Sequence, residues 1–240
     1  MQSVPLGRGQ LRSSRLAYGC WRVARSGDAK ADLRTTEAAV LAACEAGYTL
    51  FDHANIYCDG RAEEMFGCVL REHKGLREKV VIATKCGIRM ADDPPGTPYR
   101  YDFSAEYIEG QCENSLRRLG IDTIDVFQLH RPDHLMDAEE VARAFDRLHR
   151  GGKVREFGVS NFNAGQMALL QSTCRWPLAV NQIEASLAQT TAFDDGTLDY
   201  CQREKLTVLA WSPLGGGLLA AGATDILRHQ HAYDTLPVVT

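Results

Sequence analysis

Four side chains of different chemistry follow short apolar segments in this 240-residue chain. Asp52 and Tyr57 share the segment Phe51-Asp52-His53-Ala54-Asn55-Ile56-Tyr57, Lys85 ends Val80–Lys85, and His130 follows Gln128-Leu129. An amine at the end of an apolar strand loses water, so its ammonium requires an anion, and Asp52 on the neighbouring strand is the nearest candidate. A positive Lys85 beside Tyr57 is expected to lower the phenol's pKa from about 10 toward working pH. Tyr57 then becomes a usable general acid for a developing alkoxide. His130 can donate a second hydrogen bond to the same oxygen and orient it. The set suits proton delivery to a carbonyl oxygen while a hydride arrives at carbon. None of the four groups can supply that hydride, so a nicotinamide cofactor, NADP or NAD, is implied.

These groups can meet only if the segments carrying them lie side by side. Short apolar runs predict strands at Leu16–Cys20, Tyr48–Phe51, Val80–Thr84, Ile124–Leu129, Glu156–Ser160, Ala179–Ile183 and Thr207–Trp211. Helical spacing predicts helices at Thr35–Ala46, Glu63–Arg71, Ser104–Leu119, Ala138–His149, Gly165–Ser172 and Thr197–Glu204. Gly47, Gly120 and Gly151-Gly152 stop three of them. Alternating strands and helices without a composition break predict one domain over residues 1–240, built on a parallel sheet with helices outside it. An open dinucleotide-binding sheet should show G-x-G-x-x-G after its first strand, but Gly19-Cys20-Trp21-Arg22 stands there. The expected fold is therefore α/β, a (β/α)8 TIM barrel with its eighth unit shortened or incomplete, and its chemistry gathers at the C-terminal strand ends.

Composition narrows the function classes. Hydrophobic residues are 45% and charged residues 24%, ordinary for a globular protein. The net charge of −4 lacks the basic footprint of a nucleic-acid binder. No apolar run approaches the roughly 20 residues needed to span a bilayer, and residues 1–15 contain no signal-type apolar segment. The eight cysteines include no Cys-x-x-Cys pair, several sit in apolar runs, and no metal site is expected. That usage fits reduced thiols and a cytoplasmic location.

The chain resembles the aldo-keto reductases, most closely their bacterial oxidoreductase branch. The resemblance runs from about Leu16 to about Leu219. It is carried in order by Gly19-Cys20-Trp21-Arg22, Phe51–Tyr57, Ala83-Thr84-Lys85, Gln128-Leu129-His130, Gly158–Phe162, Asn181-Gln182 and Ala210–Leu214. It implies reduction of small aldehydes or ketones with NADPH or NADH, and a catalytic tetrad of Asp52, Tyr57, Lys85 and His130. It places Ser160, Asn161 and Gln182 on the carboxamide side of the nicotinamide and Trp211 against its ring. Ser212, Pro213, Leu214 and Gly216 follow the phosphates, and Gly19, Cys20 and Asp52 also border the cofactor. Trp21, with Tyr57 and His130, faces the substrate.

The match departs from the family pattern at the end. Leu236–Thr240 resembles the eighth strand, cut where the loop and helix that bind the adenosine 2′-phosphate should begin. Weak cofactor affinity, poor NADP-versus-NAD discrimination, and marginal stability or association through an uncovered side are the expectations. Two alternatives compete with catalysis by the tetrad. One is a cofactor-binding barrel acting as a regulatory or interaction module. The other is a Schiff-base role for Lys85, against which Asp52 argues. His53 is expected to be structural, Cys20, Cys58 and Cys86 inert packing, and the Pro- and Gly-rich Ala91–Thr97 a mobile lid.

Overall fold

The computed structural model describes residues 1–218. Its elements are a hairpin of β1 (Ser3–Pro5) and β2 (Arg12–Ser14), then β3 (Ala17–Gly19), α1 (Ala29–Glu45), β4 (Leu50–Asp52), α2 (Arg61–Glu72) and β5 (Val81–Cys86). A second small hairpin, β6 (Ile88–Arg89) and β7 (Arg100–Tyr101), precedes α3 (Ala105–Leu119), β8 (Ile124–Leu129), α4 (Ala138–Arg150) and β9 (Val154–Ser160). The remainder is α5 (Ala164–Thr173), β10 (Leu178–Glu184), α6 (Thr191–Asp194), α7 (Thr197–Glu204) and β11 (Thr207–Trp211). Seven strands form one parallel sheet in the order β11-β10-β9-β8-β5-β4-β3. This is the TIM-barrel-like α/β architecture the sequence implies, with the expected eighth strand at Leu236–Thr240 outside the described residues.

The pattern follows from burial on both faces. All six residues of β5 and of β8 are buried, as expected of strands between a barrel interior and an outer helix layer. The interior holds Leu50, Val81, Ala83, Val126 and Val180, with Leu6 of the N-terminal hairpin plugging the floor. Each of these leucine and valine side chains contributes about 1.5–3 kcal/mol by leaving water. Gly158 of β9 has no alternative there, because a Cβ would lie 2.3 Å from Val180 Cγ2.

The floor joins residues far apart in sequence. Gly7 N donates to Thr207 Oγ1 at 2.9 Å, and Arg8 donates to the carbonyl and carboxylate of Glu204 at 2.7 and 2.8 Å. Ser14 Oγ accepts from Thr49 N at 2.8 Å on the opposite side. Helix α1 starts earlier than Thr35, because Asp28 caps it by accepting from Lys30 N and Ala31 N. Among the described residues no helix is long and apolar enough to cross a membrane.

Candidate active site

At the C-terminal strand ends, backbone pairing continues past the ladders. Cys20 N donates to Asp52 O (2.8 Å), His53 N to Ala83 O (2.8 Å), Asn55 N to Lys85 O (3.0 Å), His130 N to Cys86 O (2.8 Å) and Asn161 N to Gln182 O (2.8 Å). These bonds hold the residues after β3, β4, β8 and β9 in a fixed order around the mouth. Glu63 of α2, fully buried, accepts from Thr84 Oγ1 at 2.6 Å and from Arg118 Nε at 2.7 Å. It thereby ties α2 to β5 and α3 beneath the site.

Lys85 is 1% exposed and has a partner for each of its three N–H bonds. Its Nζ donates to Asp52 Oδ1 at 2.7 Å, to the carbonyl of His53 at 2.7 Å and to Tyr57 Oη at 3.4 Å. Gln182 Nε2 reaches the other carboxylate oxygen, Asp52 Oδ2, at 3.0 Å. The Tyr57 and His130 rings meet edge to face, with centroids 6.0 Å apart. The structure thus gathers Asp52, Tyr57, Lys85 and His130 into one cluster. A sharp turn after Tyr57 fixes the phenol: Cys58, Asp59 and Gly60 all adopt left-handed conformations (φ 52°, 56° and 85°). Gly60 takes that geometry freely, whereas the other two are strained.

Burial is the first influence on the Lys85 pKa and opposes its charge, but Asp52 and then Tyr57 prevail and leave it raised. Tyr57 differs from the sequence expectation. Burial raises the phenol's pKa above 10 and outweighs the lowering by Lys85, with Asp52 adding to the rise. The phenol therefore keeps its proton at neutral pH. Burial, then Lys85 and Arg131, push His130 well below its ordinary value, so its ring is neutral and carries one N–H. Cys20 is fully buried beside the cluster, and burial holds its thiol protonated.

Among the other expected site residues two groups stand apart. Ser160, Asn161, Gln182 and Trp211 form one chain: Ser160 Oγ donates to Gln182 O at 2.8 Å, Asn161 Nδ2 to Ser160 Oγ at 2.9 Å and to His130 O at 3.1 Å, and Trp211 Nε1 to Asn161 Oδ1 at 2.9 Å. Ser212, Pro213, Leu214 and Gly216 instead make a local turn, with Gly215 N on Ser212 O at 2.8 Å and Gly217 N on Leu214 O at 3.3 Å. Trp21 is 54% exposed, and its carbonyl accepts from Cys58 Sγ at 3.4 Å, so it stands beside the Tyr57 turn. Gly19 aligns with Asp52 in the β3–β4 register.

Sequence reasoning missed two contacts that complete the cluster: the His53 carbonyl on Lys85 and the Gln182 amide on Asp52. The first is a backbone atom and leaves no signal in residue type. The second joins residues 130 positions apart. His53 itself is fully buried, edge-on to Phe66 at 4.7 Å. The loop expected to form a lid is anchored at its base by β6 and β7 and by Arg89 on Asp102 at 2.8 Å.

A family model described as the aldo/keto reductase family matches residues 15–235. The chain belongs to the aldo/keto reductase family. It is 41% identical over 225 residues to a 6-dehydroglucose reductase of Agrobacterium fabrum, covering 93% of this chain and 75% of that one. It is 40% identical to the uncharacterized oxidoreductase YcsN of Bacillus subtilis, covering 94% and 74%. Among solved structures, a glycerol dehydrogenase from Gluconobacter oxydans superposes with a TM-score of 0.79 at 32% identity, covering 90% of this chain and 65% of that chain. Carbonyl–alcohol oxidoreduction is the chemistry of this aldo/keto reductase in general terms.

Proposed function

We propose that this aldo/keto reductase is a single-domain enzyme that reduces an aldehyde or ketone with NADPH or NADH, using Tyr57 as the general acid. The observation that carries the reading is the buried ammonium of Lys85, held between Asp52 and the His53 carbonyl and directed at Tyr57 Oη. A reduced nicotinamide, when bound, would supply the hydride that none of these side chains can. Gln182 Oε1 is buried without a partner among the described residues, and it is an acceptor suited to the N–H of a primary carboxamide. In this reading Ser160 and Asn161, bonded to the Gln182 carbonyl, would hold the carboxamide with it, Trp211 would offer an aromatic face to the ring, and Gly19, Cys20, Asp52, Ser212, Pro213, Leu214 and Gly216 would border the rest of the cofactor.

The chain's own groups then act on the proton. A phenol with a raised pKa arrives protonated, so Tyr57 Oη donates to the carbonyl oxygen as negative charge develops there. Lys85 stabilises the tyrosinate that remains, and Asp52 keeps Lys85 charged and in place. Neutral His130 donates its one N–H to the same oxygen and fixes its direction. Eight unpaired cysteines support a reducing, cytoplasmic setting.

The test is consumption of NADPH and NADH with a panel of small aldehydes and ketones. Turnover by the unaltered protein, and its loss in Tyr57→Phe with cofactor binding retained, is the expected result. Cofactor binding without reduction of any carbonyl would replace this reading with that of a binding module.

A further inference from the structure

Two tryptophans flank the mouth, and guanidinium groups lie over both. Arg22 and Arg25 lie 5.2 and 5.0 Å from the Trp21 ring centroid, and Arg131 lies 5.6 Å from that of Trp211. Trp21 stands next to the Tyr57 turn through the Cys58 contact, and Arg131 directly follows His130. None of the three arginines has a carboxylate within 4.0 Å among the described residues. Arg89 shows the contrast: it lies over Tyr107 at 4.7 Å, but its charge is met by Asp102 at 2.8 Å and Asp93 at 3.6 Å. Glu184 stands on the Arg131 side without coming within ion-pair distance. A guanidinium lying on an aromatic face keeps its N–H fork free at the edge, which matches the paired oxygens of a carboxylate, phosphate or sulfonate.

Resting on the proposed carbonyl reduction, we infer that the preferred substrate is an aldehyde or ketone bearing an anionic group, which Arg131 holds while Arg22 and Arg25 line the approach. The anion docks beside His130 and so presents its carbonyl to Tyr57 Oη. The arginines steer the substrate inward against the chain's overall negative charge.

The experiment compares two matched pairs at saturating NADPH: butanal with 4-oxobutanoate, and glyceraldehyde with glyceraldehyde 3-phosphate. At low salt the anionic member is expected to show about a ten- to hundredfold higher kcat/KM, the return of one charge-assisted contact. That ratio falls as salt is added. Arg131→Gln brings the ratio close to one, and the double variant Arg22→Gln/Arg25→Gln lowers it in part. Equal kcat/KM within both pairs overturns the inference and leaves carbonyl reduction standing. A raised KM for NADPH in the double variant, with the ratio unchanged, assigns that pair to the cofactor diphosphate and overturns the proposed approach. Absence of reduction with all four compounds counts against the proposed function instead. In that case quenching of tryptophan fluorescence by succinate against succinamide still judges the anion site. Saturable quenching by succinate alone, lost in Arg131→Gln, supports it, and indistinguishable titrations overturn it.

Discussion

Each end of the barrel buries an aspartate, and the two are paired in opposite ways. On the floor, Asp125 is 1% exposed, and it accepts from Ile82 N at 2.8 Å while Arg77 and Arg155 lie at 2.9 and 3.1 Å. Those guanidiniums reach solvent, with side chains 24% and 58% exposed. At the mouth the order is inverted: Asp52 is 8% exposed and its ammonium partner only 1%. A buried acid met by solvated arginines fastens strands and leaves nothing over. A buried amine met by one acid has a third N–H to spare, and Tyr57 lies in its direction. The cavity of about 330 Å³ bordered by Met1, Arg12, Thr49, Asp125 and Arg155 is at the floor, so it belongs with the fastening and not with the chemistry.

The contrast breaks most visibly at Tyr57. Tyr57→Phe should lower kcat about 10²–10⁴-fold in carbonyl reduction while leaving the melting temperature nearly unchanged, measured by steady-state turnover and a thermal scan. Lys85→Met leaves Asp52 without its buried counter-charge. It should cost about 3–5 kcal/mol in denaturant titration together with most of the activity. The floor acid should behave differently. Asp125→Ala frees two arginines that water already reaches, so about 1–3 kcal/mol is expected, chiefly from the orphaned Ile82 N–H. Carbonyl reduction in Asp125→Ala, assayed well below its denaturation midpoint, should survive.

The smallest effect concerns His53, one residue beyond Asp52. Burial, then Lys85, lowers its pKa from 6.5 to about 3, and neither ring nitrogen has a partner among the described residues. Its contribution is complete above about pH 6.5. It is lost at roughly 1.4 kcal/mol per pH unit as the pH falls toward the folded value, because only the unfolded chain takes up the proton. His53→Phe should therefore flatten the acid limb of the stability curve, and an unaltered slope would remove His53 from that limb. The basic limb has the opposite sign. The raised pKa values of Lys85 and Tyr57 add stability that is present below about 10 and lost as pH rises above it.

The strands were legible because β-branched runs such as Val80–Thr84 stop at polar residues, and the helices because Gly47 and Gly120 end them. The start of α1 was not legible. Ala29-Lys30-Ala31-Asp32 carries no apolar stripe, and Asp32 is buried by accepting from Ser26 N and Arg61 rather than by hydrophobicity. The N-terminal hairpin was hidden for a related reason, since its buried residues Ser13 and Ser14 are polar and bond to the backbone around them. The membership of the mouth cluster could be read from residue types at strand ends. The direction of the Tyr57 shift could not, because spacing reveals which charges are near but not how much water the fold removes.

The latch between Gly7 and Thr207 spans 200 positions of chain. Closing so long a loop is entropically slow, and during synthesis the first hairpin emerges long before its partner exists. The Ser14–Thr49 contact needs only the first fifth of the chain, whereas the side of the base under β11 stays open until residues 204–207 are made. Seating Gly7 and Arg8 on residues 204–207 must follow synthesis of that segment, so a bulky fusion ahead of Met1 is expected to hinder it.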